Sequence, residues 1–207
     1  MKREKIKTYG IFLGETGGQV CHVLENRFKK KITGCLIREG MPEPLNISKS
    51  VKQIDIICLK RDFASELKRR ITEDNPLYLV CKLDDSGIGV SIPFIIQMLR
   101  EKKLPLHCFC IYPENWEGKK NIKTAAGIIQ KLKKNQISYS LIKPETWRNE
   151  ENDKTTLLQE HLAWIPHFTA GIINIYNILI NHYEQNQIIS ENKWLPFSEL
   201  LLKIRNN

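Results

Sequence analysis

Between Thr8 and Ile142 the chain alternates continuous apolar runs with amphipathic ones, and this alternation restricts the fold more than any other feature. Strand-like runs lie at Thr8–Leu13, Ile54–Leu59, Leu77–Leu83, Leu106–Tyr112 and Ser138–Ile142. Helical periodicity fills Gly18–Lys30, Asp62–Ile71, Gly89–Glu101 and Lys119–Lys134. Strands that are apolar on both faces are covered on both sides, and a helix after each strand returns the chain for a parallel partner. The expected fold is α/β: a doubly wound, mostly parallel sheet with helices on both faces. Segment 32–50, with Gly40, Pro42 and Pro44, reads as an irregular excursion. Segment 143–156 reads as a polar surface connection. A long apolar helical stretch follows, from about Thr155 to Tyr183. Pro166 interrupts it, so the regular helix is expected to begin near Pro166 and end near His182. Its face of Ile172, Ile173, Ile175, Ile178 and Leu179 has the width of a buried central helix. Pro196–Ile204 reads as a short terminal helix.

Composition narrows the class. The chain has 207 residues, 42% hydrophobic and 27% charged, enough apolar content for a core and too much for a disordered chain. It contains no apolar run long enough to span a membrane and no apolar stretch behind Met1-Lys2-Arg3-Glu4-Lys5 to make a signal peptide. Cys58, Cys81, Cys108 and Cys110 sit inside apolar runs and read as small buried hydrophobes. No CxxC pair occurs, and Cys108 and Cys110 are taken to face opposite sides of a strand. Zinc ligation and a disulfide framework are therefore not expected, and the expected compartment is the reducing cytoplasm. The net charge of +9 is concentrated early: residues 1–70 hold 16 basic and 8 acidic side chains, residues 143–207 hold 6 and 8. Arg27-Phe28-Lys29-Lys30-Lys31 and Lys68-Arg69-Arg70 each end a helical pattern, where cations complement the helix dipole. The basic half thus reads as a solvated surface, and nucleic acid is not the expected partner.

Two loops carry the chemistry. Gly14-Glu15-Thr16-Gly17-Gly18-Gln19 follows the first apolar run, and Asp84-Asp85-Ser86-Gly87-Ile88-Gly89 follows the third. Glycine loops at helix N-termini let backbone N–H groups approach phosphate oxygens. In a doubly wound sheet both loops fall at the carboxyl ends of strands, where ligands bind. The loop Tyr112-Pro113-Glu114-Asn115-Trp116-Glu117-Gly118 falls at a third such end.

With these loops in order, the sequence resembles the tubulin/FtsZ GTPases. The likeness is clearest over Pro113-Glu114-Asn115-Trp116-Glu117-Gly118-Lys119-Lys120, where that family has a Pro, an Asn, an aromatic, Glu-Gly and two basic residues. Gly14, Gly17 and Gln19 resemble the tubulin form of the first loop. Ser86, Gly87 and Gly89 match part of the glycine-rich signature. The helix around Pro166 and the tail Trp194-Leu195-Pro196-Phe197-Ser198-Glu199-Leu200 lie where the family has its central helix and its activating loop. The resemblance implies GTP or GDP as ligand, Mg²⁺ with it, and a homo-oligomer or an FtsZ/tubulin-like filament partner. It implies that amides around Gly14, Glu15, Thr16, Gly17 and Gly18 cradle phosphate with Gln19 nearby. Ser86, Gly87, Ile88 and Gly89 would touch the terminal phosphates. Glu117, after Pro113, would hold ribose, and Glu199 would act on the attacking water of a neighbouring subunit. Residues 1–154 would form the nucleotide-binding-like domain, and 155–207 the central helix and a short C-terminal helix, without a full second domain.

The departures weaken the chemistry more than the fold. Asp84 and Asp85 replace glycines, and carboxylates beside a triphosphate repel it unless a cation intervenes. The ribose-side Arg of the family is Asn121. Trp164, Ile165 and His167 stand where Asn or Asp reads guanine; Trp164 offers stacking without base specificity. Trp116 and Trp164 are otherwise expected to be packing residues. Trp194-Leu195-Pro196 replaces the activating Asn-x-Asp. The expectation is a guanine-nucleotide-binding protein with weak or no hydrolysis. The alternative is a degenerate FtsZ-like fold that has lost nucleotide and serves as a protein-interaction module.

Overall fold

The computed structural model describes residues 9–38, 47–55, 77–84, 92, 95–96, 106–144, 158–182, 189–190 and 193–194. Six strands run parallel: β1 (Tyr9–Leu13), β2 (Gly34–Arg38), β3 (Val51–Asp55), β4 (Leu77–Lys82), β5 (Leu106–Ile111) and β6 (Ser138–Ile142). Their spatial order is β3-β2-β1-β4-β5, with β6 beside β5. The chain order reverses between β1 and β4, and the carboxyl ends of these neighbours flank the crevice where such sheets take ligands. Two short strands, β7 (Ile189–Ser190) and β8 (Lys193–Trp194), pair antiparallel; among the described residues β8 meets β5 at Leu106↔Lys193. The helices are α1 (Gly14–Asn26), α2 (Lys119–Lys134) and α3 (Leu158–His182).

The period of two along each strand sorts the core into two layers. Ile11, Leu13, Cys35, Ile37, Leu79, Cys81, Cys108 and Cys110 pack under α2 (Ala125, Ile128, Leu132) and the helical Ile92, Ile95 and Ile96. Phe12, Leu36, Tyr78, Val80, Phe109 and Ile111 face the other way, under α1 (Val20, Cys21, Leu24) and α3 (Ile165, Ala170, Ile173, Tyr176). Cys108 and Cys110 therefore share a face, contrary to the expected opposition, because residues two apart on a strand point the same way. All described cysteines are free. Cys21, Cys35, Cys81, Cys108 and Cys110 are buried, and burial pushes the Cys108 and Cys21 thiols well up from 9.0.

Several expected boundaries moved. The segment 32–50 holds a strand, β2, whose apolar run is only Cys35-Leu36-Ile37 between breaker residues. Tertiary packing explains it: a Cβ on Gly34 would lie 2.0 Å from the Gly10 carbonyl oxygen, so only glycine lets β1 and β2 approach here. β3 begins at Val51, ahead of the expected Ile54. α1 begins at Gly14 rather than Gly18, so the first glycine loop is itself the opening of a helix. α3 begins at Leu158, and Pro166 lies inside it. Ile165, Pro166, Ala170 and Ile173 are buried, and that packing holds the helix together across the hydrogen bond the proline removes. The expected buried Ile face is only half realised. Ile173 is covered, while Ile175 and Ile178 are 46% and 52% exposed. Stretches 62–71 and 196–204 lie outside the described residues, as does most of 89–101 and of 143–156.

Gly34→Ala is expected to force β1 from β2 and lower stability by about 3 kcal/mol, the upper end of overpacking costs. Urea denaturation of the purified variant measures this, and an unchanged midpoint would contradict the register of these two strands.

Candidate nucleotide site at the carboxyl edge of the sheet

β1 passes into α1 without a linker. Leu13 is extended and Gly14 takes φ 72°, a conformation that glycine adopts without strain. Gly17 then leans α1 onto β1 and β4, where an added Cβ would be 3.1 Å from the Phe12 carbonyl carbon and 3.3 Å from the Val80 oxygen. Leu13 stands at the N-cap of α1, and among the described residues no side-chain cap is formed there. Its first amides therefore open onto the crevice between β1 and β4, an arrangement with electrostatic preference for an anion. Gly14, Gly17 and Gly18 are buried, Thr16 is half-buried, and Glu15 and Gln19 are exposed. Glu15 turns aside to accept from Arg38, the last residue of β2, at 3.3 Å. Arg38 is buried and also donates to Gln53 Oε1 at 3.4 Å.

At the end of β4 the charge arrangement was not visible in the sequence. Lys82 Nζ donates to Asp84 Oδ2 at 2.9 Å and also to Glu117 Oε2. All three side chains are largely buried. Burial works against the Lys82 ammonium, but its bonds and charge attraction to Glu117 and Asp84 outweigh it and raise the pKa above 10.5. Burial raises the Glu117 carboxyl above 4.5, and its contact with Asp84 adds to the rise. Two carboxylates sharing one cation keep a net negative charge, which favours a bound proton. Asp84 Oδ1 is buried without a hydrogen-bond partner among the described residues.

Glu117 is held from the other side too. It closes a 3₁₀ turn at Asn115–Glu117 by accepting from the Glu114 N–H at 2.9 Å, while the Glu114 side chain accepts from the Glu117 N–H. This is a capping box. Asn121 Nδ2 donates to the Glu117 carbonyl at 3.1 Å. Pro113 is buried beside this turn, and Trp116 projects from it 50% exposed, against the expectation of a packing residue.

The structure thus gathers Gly14–Gln19, Asp84, Pro113, Glu117 and Asn121 at one edge of the sheet. It does not bring Trp164 there. Trp164 is itself partly exposed and lies on α3, stacked on Phe168 at 4.6 Å, in a groove with Arg27 and Phe28. Arg27 is about 20 Å from Gly14 along α1 at 1.5 Å per residue. Asp85, Ser86, Gly87, Ile88, Gly89 and Glu199 lie outside the described residues. Lys82 and Arg38 are the residues that sequence reasoning missed. Each ends a strand in a charged residue, the one signal that marked them. Among the described residues no group of three His, Cys, Asp or Glu side chains is arranged to hold a metal, and no helix is long and apolar enough to cross a membrane.

No protein-family model matches the sequence. No curated protein matches it by sequence either. Solved structures do share the architecture. An empty FtsZ dimer from M. jannaschii superposes with a TM-score of 0.73 at 15% identity, covering 89% of this chain and 58% of that one. A GTPγS-bound protofilament of CetZ2 from Haloferax volcanii gives 0.72 at 13%, covering 89% and 62%. TubZ of Clostridium botulinum phage c-st gives 0.63 at 13%, covering 88% and 62%. The chain has a tubulin/FtsZ-like fold and spans about three-fifths of the length of these structures.

Lys82→Met leaves two buried carboxylates without their cation, a loss expected to cost about 3–5 kcal/mol at pH 7. The raised Lys82 pKa means that its stabilisation is complete below 10.5 and is lost as pH rises through the folded-state value. The wild type should therefore weaken above pH 10.5 and the variant should lack that limb. Denaturation midpoints from pH 6 to 11 measure both; coincident curves would contradict the role of Lys82.

Proposed function

We propose that this chain is a tubulin/FtsZ-like guanine-nucleotide-binding protein that hydrolyses GTP weakly or not at all. We further propose that it associates with its own copies or with a filament-forming relative. The observation that carries this reading is the uncapped N-terminus of α1 at the β1/β4 switch point, facing an edge where Lys82 compensates Asp84. Lys82 thereby offsets part of the carboxylate charge that would repel a phosphate, although Glu117 shares the same cation. In this reading the amides of Gly14 to Gly18 hold phosphate oxygens, and residues 86–89 approach from the second loop. Mg²⁺ joins mainly through the phosphates, since it is commonly held by few protein ligands. Nucleotide would supply the bridging charge between stacked subunits, and the fold neighbours are a dimer and a protofilament by their own description.

Weak turnover follows from the chain itself. Glu199 is the one acid left in the stretch resembling the activating loop, and Trp194-Leu195-Pro196 brings no carboxylate or amide side chain to accept a proton from water. Weak sugar selection follows from Glu117, whose two oxygens are engaged by Lys82 and the Glu114 N–H. That same engagement favours a second reading, in which the fold serves as a protein-interaction module without nucleotide.

Calorimetric titration of nucleotide-stripped protein with GTP, GDP and ATP, with and without Mg²⁺, separates the two. Micromolar binding of guanine nucleotides with little turnover is the expected result. Binding of none of the three would overturn it in favour of the interaction module, and rapid hydrolysis would overturn the assignment of weak activity.

A further inference from the structure

On the far side of α1 from the nucleotide edge, α3 carries an apolar stripe that the core covers only in part, through Phe168 and Ile172. Trp164, Phe168, Ile172, Ile175 and Ile178 recur at helical spacing over about 20 Å of helix. Trp164, Ile175 and Ile178 are all exposed. The stripe borders a groove of about 420 Å³ between α3 and the C-terminal turn of α1, with Gly171 in its lining. A Cβ on Gly171 would meet only Phe28 Cζ, at 3.9 Å. The groove is thus concave and apolar, shaped to receive inserted side chains.

Its rim is basic. Arg27 lines the groove and its guanidinium donates to His167 Nδ1 at 3.2 Å. The turn continues into Lys29, Lys30 and Lys31, which line a second hollow of about 470 Å³ beside it. Among the described residues Glu25 is the one acid lining that hollow, and its Oε2 accepts from the Ser48 N–H at 2.8 Å. Among the described residues no acidic side chain lines the apolar groove.

We infer that this groove docks a helical segment of another protein, with bulky apolar side chains on one face and carboxylates flanking them. Charge complementarity selects the partner: an apolar stripe supplies area, and Arg27 in the groove together with the lysines of the neighbouring hollow supplies orientation. A second copy of this chain fits poorly, because pairing the same patch would bring two basic rims together in a chain of net charge +9. A lipid surface fits poorly because Trp164, Phe168, Ile172 and Ile175 line a hollow, which a flat surface would leave unfilled.

The test uses the full chain and a 15-residue helical peptide, with Leu at positions 1, 4, 5, 8, 11, 12 and 15 and Glu and Ala elsewhere. The control peptide has Lys for every Glu. Tryptophan fluorescence, with a Trp164→Phe variant to assign the change, and anisotropy of a labelled peptide read binding. The acidic peptide is expected to bind saturably, at least tenfold tighter than the control. Gly171→Leu, which fills the groove, and Arg27→Glu, which reverses the rim, should each weaken it at least fivefold with unchanged thermal melting. Equal binding of the two peptides, or no binding, overturns the inference. So does a dimer in light scattering that Gly171→Leu dissociates, which would make a second copy the occupant. Sedimentation with phosphatidylcholine–phosphatidylserine vesicles (7:3) that Gly171→Leu abolishes would make it a membrane.

Discussion

The turn from Leu13 into Gly14 is the constraint on which the rest of the molecule depends. A parallel sheet buried on both faces can meet water and ligands only at its edges and ends. β1 is the central strand, paired with β2 on one side and β4 on the other, and α1 must leave it at once to cover one face. Three absent side chains allow this. Gly34 lets β2 close on β1, Gly14 turns the chain, and Gly17 lets α1 lie against the backbones of β1 and β4. The price is a helix start without a cap, and the fold places that start at the switch point. The structural economy of the core and the electrostatic character of the site therefore share one cause.

The Lys82–Asp84–Glu117 cluster is the second organising contact. It ties the end of β4 to the turn after β5, so the two loops nearest the crevice are joined by charge and not only by the sheet. An ion pair at this depth is weak grounds for net stability, since desolvation offsets much of the attraction. Its effect is geometric. Glu117 is oriented by Lys82 on one side and by the capping box on the other, and Asp84 is drawn toward Lys82. The result is an edge with a guarded negative character beside a helix start that prefers anions.

The sequence was most readable where local pattern and tertiary packing agree. Ser138–Ile142 and Lys119–Lys134 match their expected bounds, because a full strand run and a full amphipathic helix each specify themselves. β2 was missed because its apolar run has only three residues and its need for Gly34 comes from Gly10, a residue on another strand. α3 starts at Leu158, ahead of Pro166, because burial of Ile165, Pro166, Ala170 and Ile173 outweighs proline's local effect. Opposite faces for Cys108 and Cys110 came from a wrong period. At the site, Glu117 was legible by type and position, but its engagement was not. Lys82 lies 35 residues away in sequence and reaches it only because β4 and β5 pair Lys82 with Ile111.

Backbone amide spectra of isotope-labelled, nucleotide-stripped protein during titration with GTP and Mg²⁺ read the start of α1 residue by residue. If the anion seat lies there, the amides of Glu15, Thr16 and Gly17 move first and furthest, while those of α2's C-terminal half stay in place. Saturation with no movement at Glu15 to Gly17, or movement confined to the groove around Trp164, would contradict a nucleotide site at the carboxyl edge of the sheet.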